Sequence, residues 1–222
     1  MKVKRVTVLI SGSGSNLQAL IDATSSGRLD VEICHVISNR ADAPGLQRAH
    51  KAQIPTSVLP HEQFSKRSEF DQALAALAAF GKPQLLVLAG FMRILGAAML
   101  EPFAGRIINL HPSLLPLYPG TGTYQRAIES GDEEHGASIH FVTGELDGGP
   151  VISQVRIPIL PGDNADILAS RLSPREHDLV VSTVELFSHH RVHCANDAVF
   201  LDGKPFSKPL RLQADGTLTD QN

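Results

Sequence analysis

Two cysteines, Cys34 and Cys194, are too few for a disulfide framework or a four-thiolate zinc site in 222 residues, and that scarcity points to a reducing compartment. An excess of positive charge is missing as well. Lys and Arg number 20 against 23 Asp and Glu, a formal net charge of −3, so no global basic field exists to condense on a phosphate backbone or an anionic membrane. Neither nucleic acid nor membrane is expected as a partner. The longest uncharged apolar stretch, Leu85 to Met92, ends at Arg93, far short of the roughly 20 residues that a spanning helix requires. The opening Met1-Lys2-Val3-Lys4-Arg5 leads into an apolar run too brief for a secretory signal and has no small-residue cleavage site, so the expected location is cytoplasmic. What is present, 42% hydrophobic and 19% charged residues, supports a folded core and excludes disordered, collagen-like and low-complexity chains.

The apolar pattern alternates between strand and helix. Val6 to Ile10 is a short β-branched run that ends at Ser11-Gly12-Ser13-Gly14-Ser15-Asn16, after which Leu17, Leu20 and Ile21 recur at helical spacing. Strands are predicted at 31–37 and 55–59, with helices at 44–52 and from about Glu62 to Phe80, the latter with Phe64, Phe70, Leu74 and Leu77 as its apolar stripe. Leu85 to Ala89 and Arg106 to Leu110 lack polar alternation and read as central strands buried on both faces. This alternation predicts an α/β fold with a mostly parallel sheet and helices on both faces. From His135 the pattern changes, because 138–142 and 151–157 alternate better and are joined by a Gly-rich loop, which predicts an antiparallel extension. A long helix should run from Asp163 towards His190, broken or kinked near Ser173 by Pro174. Ala198 to Leu201 followed by Asp202-Gly203 carries a hairpin signal and should form edge strands. With no long linker or repeat, a single domain over 1–222 is expected. Its parts are expected at 1–110, 111–195 and a C-terminal hairpin tail (196–222).

The loop from Ser11 to Asn16 offers backbone N–H groups at a helix N-terminus, where the macrodipole favours an anion. It is not a P-loop, since no Gly-Lys-Ser/Thr follows, and Leu17 stands where a dinucleotide fingerprint has its third glycine. The second strand ends in Ser38-Asn39-Arg40, without an acidic residue for a ribose hydroxyl, so a phosphate monoester is expected rather than NAD. A tight turn with a Ser/Asn helix cap is the alternative.

Asn109-Leu110-His111-Pro112 ends a buried strand, at the edge where open α/β sheets place ligands. Period-2 alternation puts Asn109 and His111 on one side. An amide there can hydrogen-bond a developing oxyanion, and an imidazole can exchange protons near neutral pH. A carboxylate from the loop Glu145 to Pro150, Asp147 in particular, could orient the imidazole and raise its pKa. Otherwise His111 is a satisfied strand-end histidine and Asp147 a turn former. A Ser-His-Asp hydrolase would need Gly-x-Ser-x-Gly, a spacing that Gly12-Ser13-Gly14 lacks. His135 and His140 read as packing or solvent-facing positions, and Cys34 as core. With no His-Glu-x-x-His spacing, His189, His190 and His193 read as a helix end and not as a zinc site, and no metal is expected.

Taken in order, Ile10-Ser-Gly-Ser-Gly-Ser-Asn16, Leu88-Ala-Gly-Phe-Met-Arg-Ile-Leu95, Asn109-Leu-His-Pro-Ser-Leu-Leu-Pro116, Asp132-Glu-Glu-His-Gly136 and Glu145-Leu-Asp-Gly-Gly-Pro150 resemble the phosphoribosylglycinamide formyltransferases. The resemblance runs from the first strand through Glu176 and makes 1–110 the nucleotide-binding half and 111–195 the folate and catalytic half. It implies a Rossmann-like formyltransferase fold and transfer of a formyl group from 10-formyltetrahydrofolate, a co-substrate, to the amine of glycinamide ribonucleotide in purine synthesis. By position it implies that Asn109, His111 and Asp147 are catalytic and that Gly14, Ser15 and Asn16 hold the ribonucleotide phosphate. Ser173, Pro174, Arg175 and Glu176 would complete that site. Met92, Arg93, Ile94 and Leu95, with Asn109 and the loop Thr143, Gly144, Glu145, Leu146 and Asp147, would line the folate pocket, and Arg67 would meet the carboxylates of the glutamate tail.

Two departures stand out: Tyr124 where the family often has histidine, beside an unusual Thr121-Gly122-Thr123, and Pro174 inside the ribonucleotide segment. The implied partners are these two small molecules, with the chain a monomer or homodimer. A formyltetrahydrofolate hydrolase would be expected to carry an extra N-terminal domain, and a methionyl-tRNA formyltransferase a basic nucleic-acid-binding C-terminal domain. A non-catalytic folate or nucleotide binder would not need the catalytic residues.

Overall fold

The structure is a computed structural model that describes residues 3–206 and 208–220. Strand and helix alternate as β1 (Arg5–Ile10), α1 (Ser15–Ser25), β2 (Glu32–Ser38), α2 (Pro44–Lys51), β3 (Thr56–Val58), α3 (Arg67–Ala78), β4 (Leu85–Leu88), α4 (Ala97–Leu100) and β5 (Ile107–His111). Among themselves these five strands pair in parallel. Next come α5 (Thr123–Glu129), β6 (Glu134–Phe141), β7 (Val151–Pro158) and α6 (Ala165–His189), with β6 antiparallel to both β5 and β7.

The chain closes with β8 (Val192–Ala195), β9 (Ala198–Leu201), β10 (Lys204–Phe206), β11 (Leu210–Leu212) and β12 (Leu218–Thr219). The sheet runs β12-β11-β7-β6-β5-β4-β1-β2-β3, and β10-β9-β8 form a small second sheet. The predicted hairpin turns at Asp202-Gly203 but sits in that second sheet, while β11 and β12 extend the main sheet beside β7. Ser207, Gln221 and Asn222 of the predicted tail lie outside the described residues.

Each face of the sheet carries its own core, and alternation along the central strands feeds both. Leu85 and Val87 of β4 join Val6, Val8, Leu17, Leu20, Leu172 and Leu179 on the α1 and α6 side. Leu86 and Leu88 join Leu9, Phe70, Leu74 and Met99 on the α3 side. Burying each such side chain contributes roughly 1.5–3 kcal/mol, and this explains why β4 carries no polar residue. In β5, Ile108 and Leu110 enter the first core and Ile107 the second, which sends Asn109 and His111 to the α3 side at the strand's end. Strand order reverses between β1 and β4, so the loops after these strands and the tip of β5 border one switch-point crevice.

Two predicted elements need correction, and one helix was not predicted. α6 runs unbroken through Pro174. The carbonyl left without a proline N–H is that of Ser170, and Ser170 and Pro174 both lie on the exposed side, where water can take the bond. Buried Leu172, Leu179 and Val180 hold the helix straight onto the sheet. The helix predicted from Glu62 begins only at Arg67, after a short 3₁₀ turn at His61–Gln63. Phe64 instead packs edge-on against Phe70, with ring centroids 5.7 Å apart, a staple-like contact across the helix start. Finally, α5 was not expected from the Gly-rich stretch before it; Gly122, in the left-handed region at φ +70°, is its N-cap.

Candidate active site

At the tip of β5 an amide, two imidazoles and a carboxylate form one connected cluster. The β5–β6 register sets Asn109 opposite His140, and the Asn109 Nδ2 lies 3.1 Å from His140 Nε2. His140 Nδ1 lies 2.9 Å from the Phe141 carbonyl, which can only accept. With its Nδ1 hydrogen on that carbonyl, the Nδ1–H tautomer of the ring accepts the Asn109 N–H at Nε2. This fixes the amide orientation and uses one of the two Nδ2 hydrogens. A β-bulge between Ile139 and His140 aims the ring at this point. His140, expected from sequence to pack or face solvent, is 2% exposed and belongs to the cluster.

Asp147 joins the two histidines. Its Oδ1 is 3.6 Å from His140 Nε2 and its Oδ2 is 3.5 Å from His111 Nδ1, while Oδ2 also accepts the Gly120 N–H at 2.9 Å. On the other side of the ring, His111 Nε2 donates to the Tyr118 carbonyl at 2.9 Å. The residues supplying these two partners both have left-handed backbones, Tyr118 at φ +55° and Asp147 at φ +49°. For a bulky residue such as Tyr118 that conformation is strained. Its ring is held by Tyr118 Oη donating to Asp132 at 2.7 Å and by the Arg126 guanidinium 5.1 Å above it. Gly149 closes the Asp147 loop against β6, where a Cβ would lie 1.8 Å from the Phe141 carbonyl oxygen.

Burial pushes the His111 pKa below the usual histidine value. The Tyr118 carbonyl and, as expected, Asp147 raise it, and burial outweighs both. Asp147 goes down despite burial, because His140 and His111 in their protonated forms and the Gly120 N–H favour the carboxylate.

Polar residues behind the cluster hold the 112–118 loop, and the sequence did not single them out. Ser138 Oγ donates to the Ser113 carbonyl at 2.7 Å and accepts the Leu115 N–H at 3.0 Å. Gln154 Nε2 donates to the Leu115 carbonyl and to Ser138 Oγ, both at 2.9 Å.

The glycine loop lies across the crevice from this cluster. Gly14, at φ +69°, starts α1, and a Cβ there would sit 2.6 Å from the Gly45 Cα of α2, so the loop has no room for a larger residue. The first-turn N–H groups at Ser15 and Asn16 have no intrahelical acceptors. Asn16 Oδ1 is buried without a partner, while the Asn16 amide hydrogen-bonds Glu176, which also receives the Tyr124 Oη at 3.2 Å. Burial pushes the Glu176 pKa up, opposed by those two bonds. The structure thus brings Asn16 and Glu176 together. Arg175 is turned elsewhere, to Asp178 at 2.9 Å and the Gln213 carbonyl at 2.7 Å. One helical residue before Glu176, it points about 100° away, and exposed Pro174 likewise does not share the contact.

The loop after β4 is tied to the glycine loop through Ser11, whose hydroxyl donates to Asn39 Oδ1 and accepts the Met92 N–H at 2.8 Å. Met92, Ile94 and Leu146 are 71, 56 and 50% exposed, an apolar lining without a protein partner of matching size. Leu95, by contrast, is buried in the core on the α3 side and offers no side chain to a ligand. Arg67, Arg93 and Ile94 line a 280 Å³ cavity with His61, Glu62, Phe64, Lys66 and Phe70. Among the described residues no three His, Cys, Asp or Glu are grouped to hold a metal ion, and no helix is long and apolar enough to cross a membrane.

An oriented amide, a histidine–carboxylate pair and the unpaired N–H groups of a helix start thus border one crevice of an α/β sheet. The nearby hydroxyls of Ser113 and Ser138 donate to backbone carbonyls and are not poised as nucleophiles. Residues 4–184 match the family model described as Formyl transferase. The chain is 46% identical to the phosphoribosylglycinamide formyltransferase of Escherichia coli (strain K12), over 90% of this chain and 94% of that protein. It is 44% identical to the Haemophilus influenzae protein of that name, over 93% and 97%. The solved phosphoribosylglycinamide formyltransferase of Coxiella burnetii, in complex with CHES, superposes with a TM-score of 0.88 at 48% identity, covering 93% of this chain and 97% of that one. The chain belongs to the formyl transferase family, among its phosphoribosylglycinamide formyltransferases.

Proposed function

We propose that this chain transfers the formyl group of 10-formyltetrahydrofolate to the amine of glycinamide ribonucleotide, giving formylglycinamide ribonucleotide and tetrahydrofolate. The observation that carries the reading is the chain of contacts from Asn109 through His140 and Asp147 to His111. The acceptor amine attacks the formyl carbon, a C–N bond forms, and the carbonyl electron pair moves onto oxygen. The second Asn109 N–H donates to that oxyanion. His111 supplies the other donor when its Nε2–H leaves the Tyr118 carbonyl. Ionised Asp147 accepts, through water, the proton that the attacking amine sheds, and the proton returns to the folate nitrogen as its C–N bond breaks. No bond to the protein forms.

The ribonucleotide phosphate lies on the N–H groups of Gly14, Ser15 and Asn16, and Asn16 with Glu176 meets its sugar hydroxyls. The pterin and its tail lie along Met92, Arg93, Ile94 and the 143–147 loop, towards Arg67. A single domain over 1–222 suits this arrangement, because both the 1–110 half and the 111–195 half contribute to each ligand. The protein acts in the cytoplasm as a monomer or homodimer. A coupled assay tests the function: formyl donor should be consumed only when glycinamide ribonucleotide is present. Equal consumption in its absence identifies a hydrolase instead.

A further inference from the structure

We propose that Asp71 is a positioning residue for the donor's anionic tail, holding the Arg67 guanidinium and the Ile94–Gly96 turn in one arrangement beneath the basic cavity. The inference rests on the folate reading of that cavity. Asp71, on α3, has a side chain only 2% exposed. Its Oδ2 accepts the Gly96 N–H at 3.0 Å and lies 3.7 Å from Arg67 Nε. Arg67 Nη2 in turn donates to the Ile94 carbonyl at 2.9 Å. Carboxylate, guanidinium and turn therefore close a ring of contacts. The approach is tight enough that a Cβ on Gly96 would sit 2.4 Å from Asp71 Oδ2, so glycine is required on the turn side.

This ring leaves Arg67 with its inner edge occupied by protein and the rest of its fork available to the cavity, where exposed Lys66 and Arg93 add positive charge. A guanidinium fixed in this way loses little freedom when it meets a carboxylate in a two-point bond. Asp71 Oδ1 is buried without a partner, so the carboxylate is only half satisfied by the fold itself. Burial pushes its pKa up, opposed by the Gly96 N–H, Arg67 and Arg93. A buried, half-satisfied charge is a net cost to folding unless it organises something else. The ligand class that uses the result is a glutamyl dicarboxylate.

The test compares two donors, 10-formyltetrahydrofolate and 10-formyltetrahydropteroate, which lacks the glutamate. Asp71→Asn keeps an acceptor for Gly96 and removes the charge facing Arg67. Its KM for the tailed donor should rise about 10-fold, with kcat and the KM of the tail-less donor unchanged. Gly96→Ala, on the turn side of the same bond, should raise KM for both donors and keeps the inference testable if Asp71→Asn misfolds. An unchanged KM for the tailed donor in folded Asp71→Asn, or an equal rise for both donors there, overturns the positioning role, as does an unchanged KM in Gly96→Ala if Asp71→Asn misfolds. Arg67→Ala separates the layers. If it leaves the tailed donor's KM unchanged, the folate reading of the cavity falls and the inference with it. If it raises that KM while Asp71→Asn does not, only the Asp71 inference falls.

Discussion

Asn109→Ala is expected to lower kcat by about 10²–10³, the usual cost of losing one oxyanion donor, with little change in the KM of either substrate. The size follows from how the amide is held. His140 donates from Nδ1 to the Phe141 carbonyl, and in this tautomer its Nε2 accepts, which turns the Asn109 NH₂ rather than its oxygen towards the ring. The hydrogen that remains is oriented before substrate arrives and needs no reorganisation during reaction. Alanine removes it without touching the ladder bonds of β5, because only the side chain takes part. Steady-state kinetics, with circular dichroism as the check on folding, measure the effect. Turnover close to wild type in a folded Asn109→Ala protein would remove the amide from the mechanism.

Asp147→Asn should cost about 10²–10⁴ in kcat, the range spanned by positioned acid/base groups, and should also move the pH profile. The sign follows from the local charges. His111 is already held below its usual pKa by burial, and Asp147 is one of the two groups pulling it back up, against His140 and Arg126, which push it down. Removing the carboxylate lets burial win further, so protonation of His111 moves to lower pH. The acid limb of the residual kcat profile should shift in the same direction. The two groups titrate as a pair, and the limb reports the pair rather than either residue alone. A pH titration of kcat for wild type and variant checks this. An unmoved acid limb would show that Asp147 and His111 are not electrostatically coupled during turnover.

The sequence made the chemistry-bearing motifs visible where local spacing alone carries them. The strand-loop-helix at Ser11 to Asn16 and the Asn109-x-His111 strand end both lie at the switch-point edge as expected, because alternation and loop position follow from neighbouring residues. His140 was hidden because its role depends on a long-range register. In its own strand it looks like one more alternating position, and only the antiparallel pairing of β6 with β5 sets it opposite Asn109. The same holds for Ser138 and Gln154, polar residues in buried strands whose partners lie on the 112–118 loop.

Arg175 shows the opposite limit, of carrying a motif across by position. A contiguous segment on a helix cannot face one ligand with four successive residues, and helical rotation separates Arg175 from Glu176. Pro174 was read as a helix breaker from its backbone chemistry, which gives the missing bond but not the solvent that compensates it. Leu95 belongs to a motif that reads as ligand-facing yet is buried in the core, a distinction that the motif does not encode.

A single-turnover experiment with enzyme in excess over formyl-labelled 10-formyltetrahydrofolate addresses direct transfer between the two bound molecules. With glycinamide ribonucleotide present, label should leave the donor and enter the ribonucleotide at the same rate, with none bound to quenched protein. Label retained on the protein, or lost from the donor before the acceptor is added, would contradict the account.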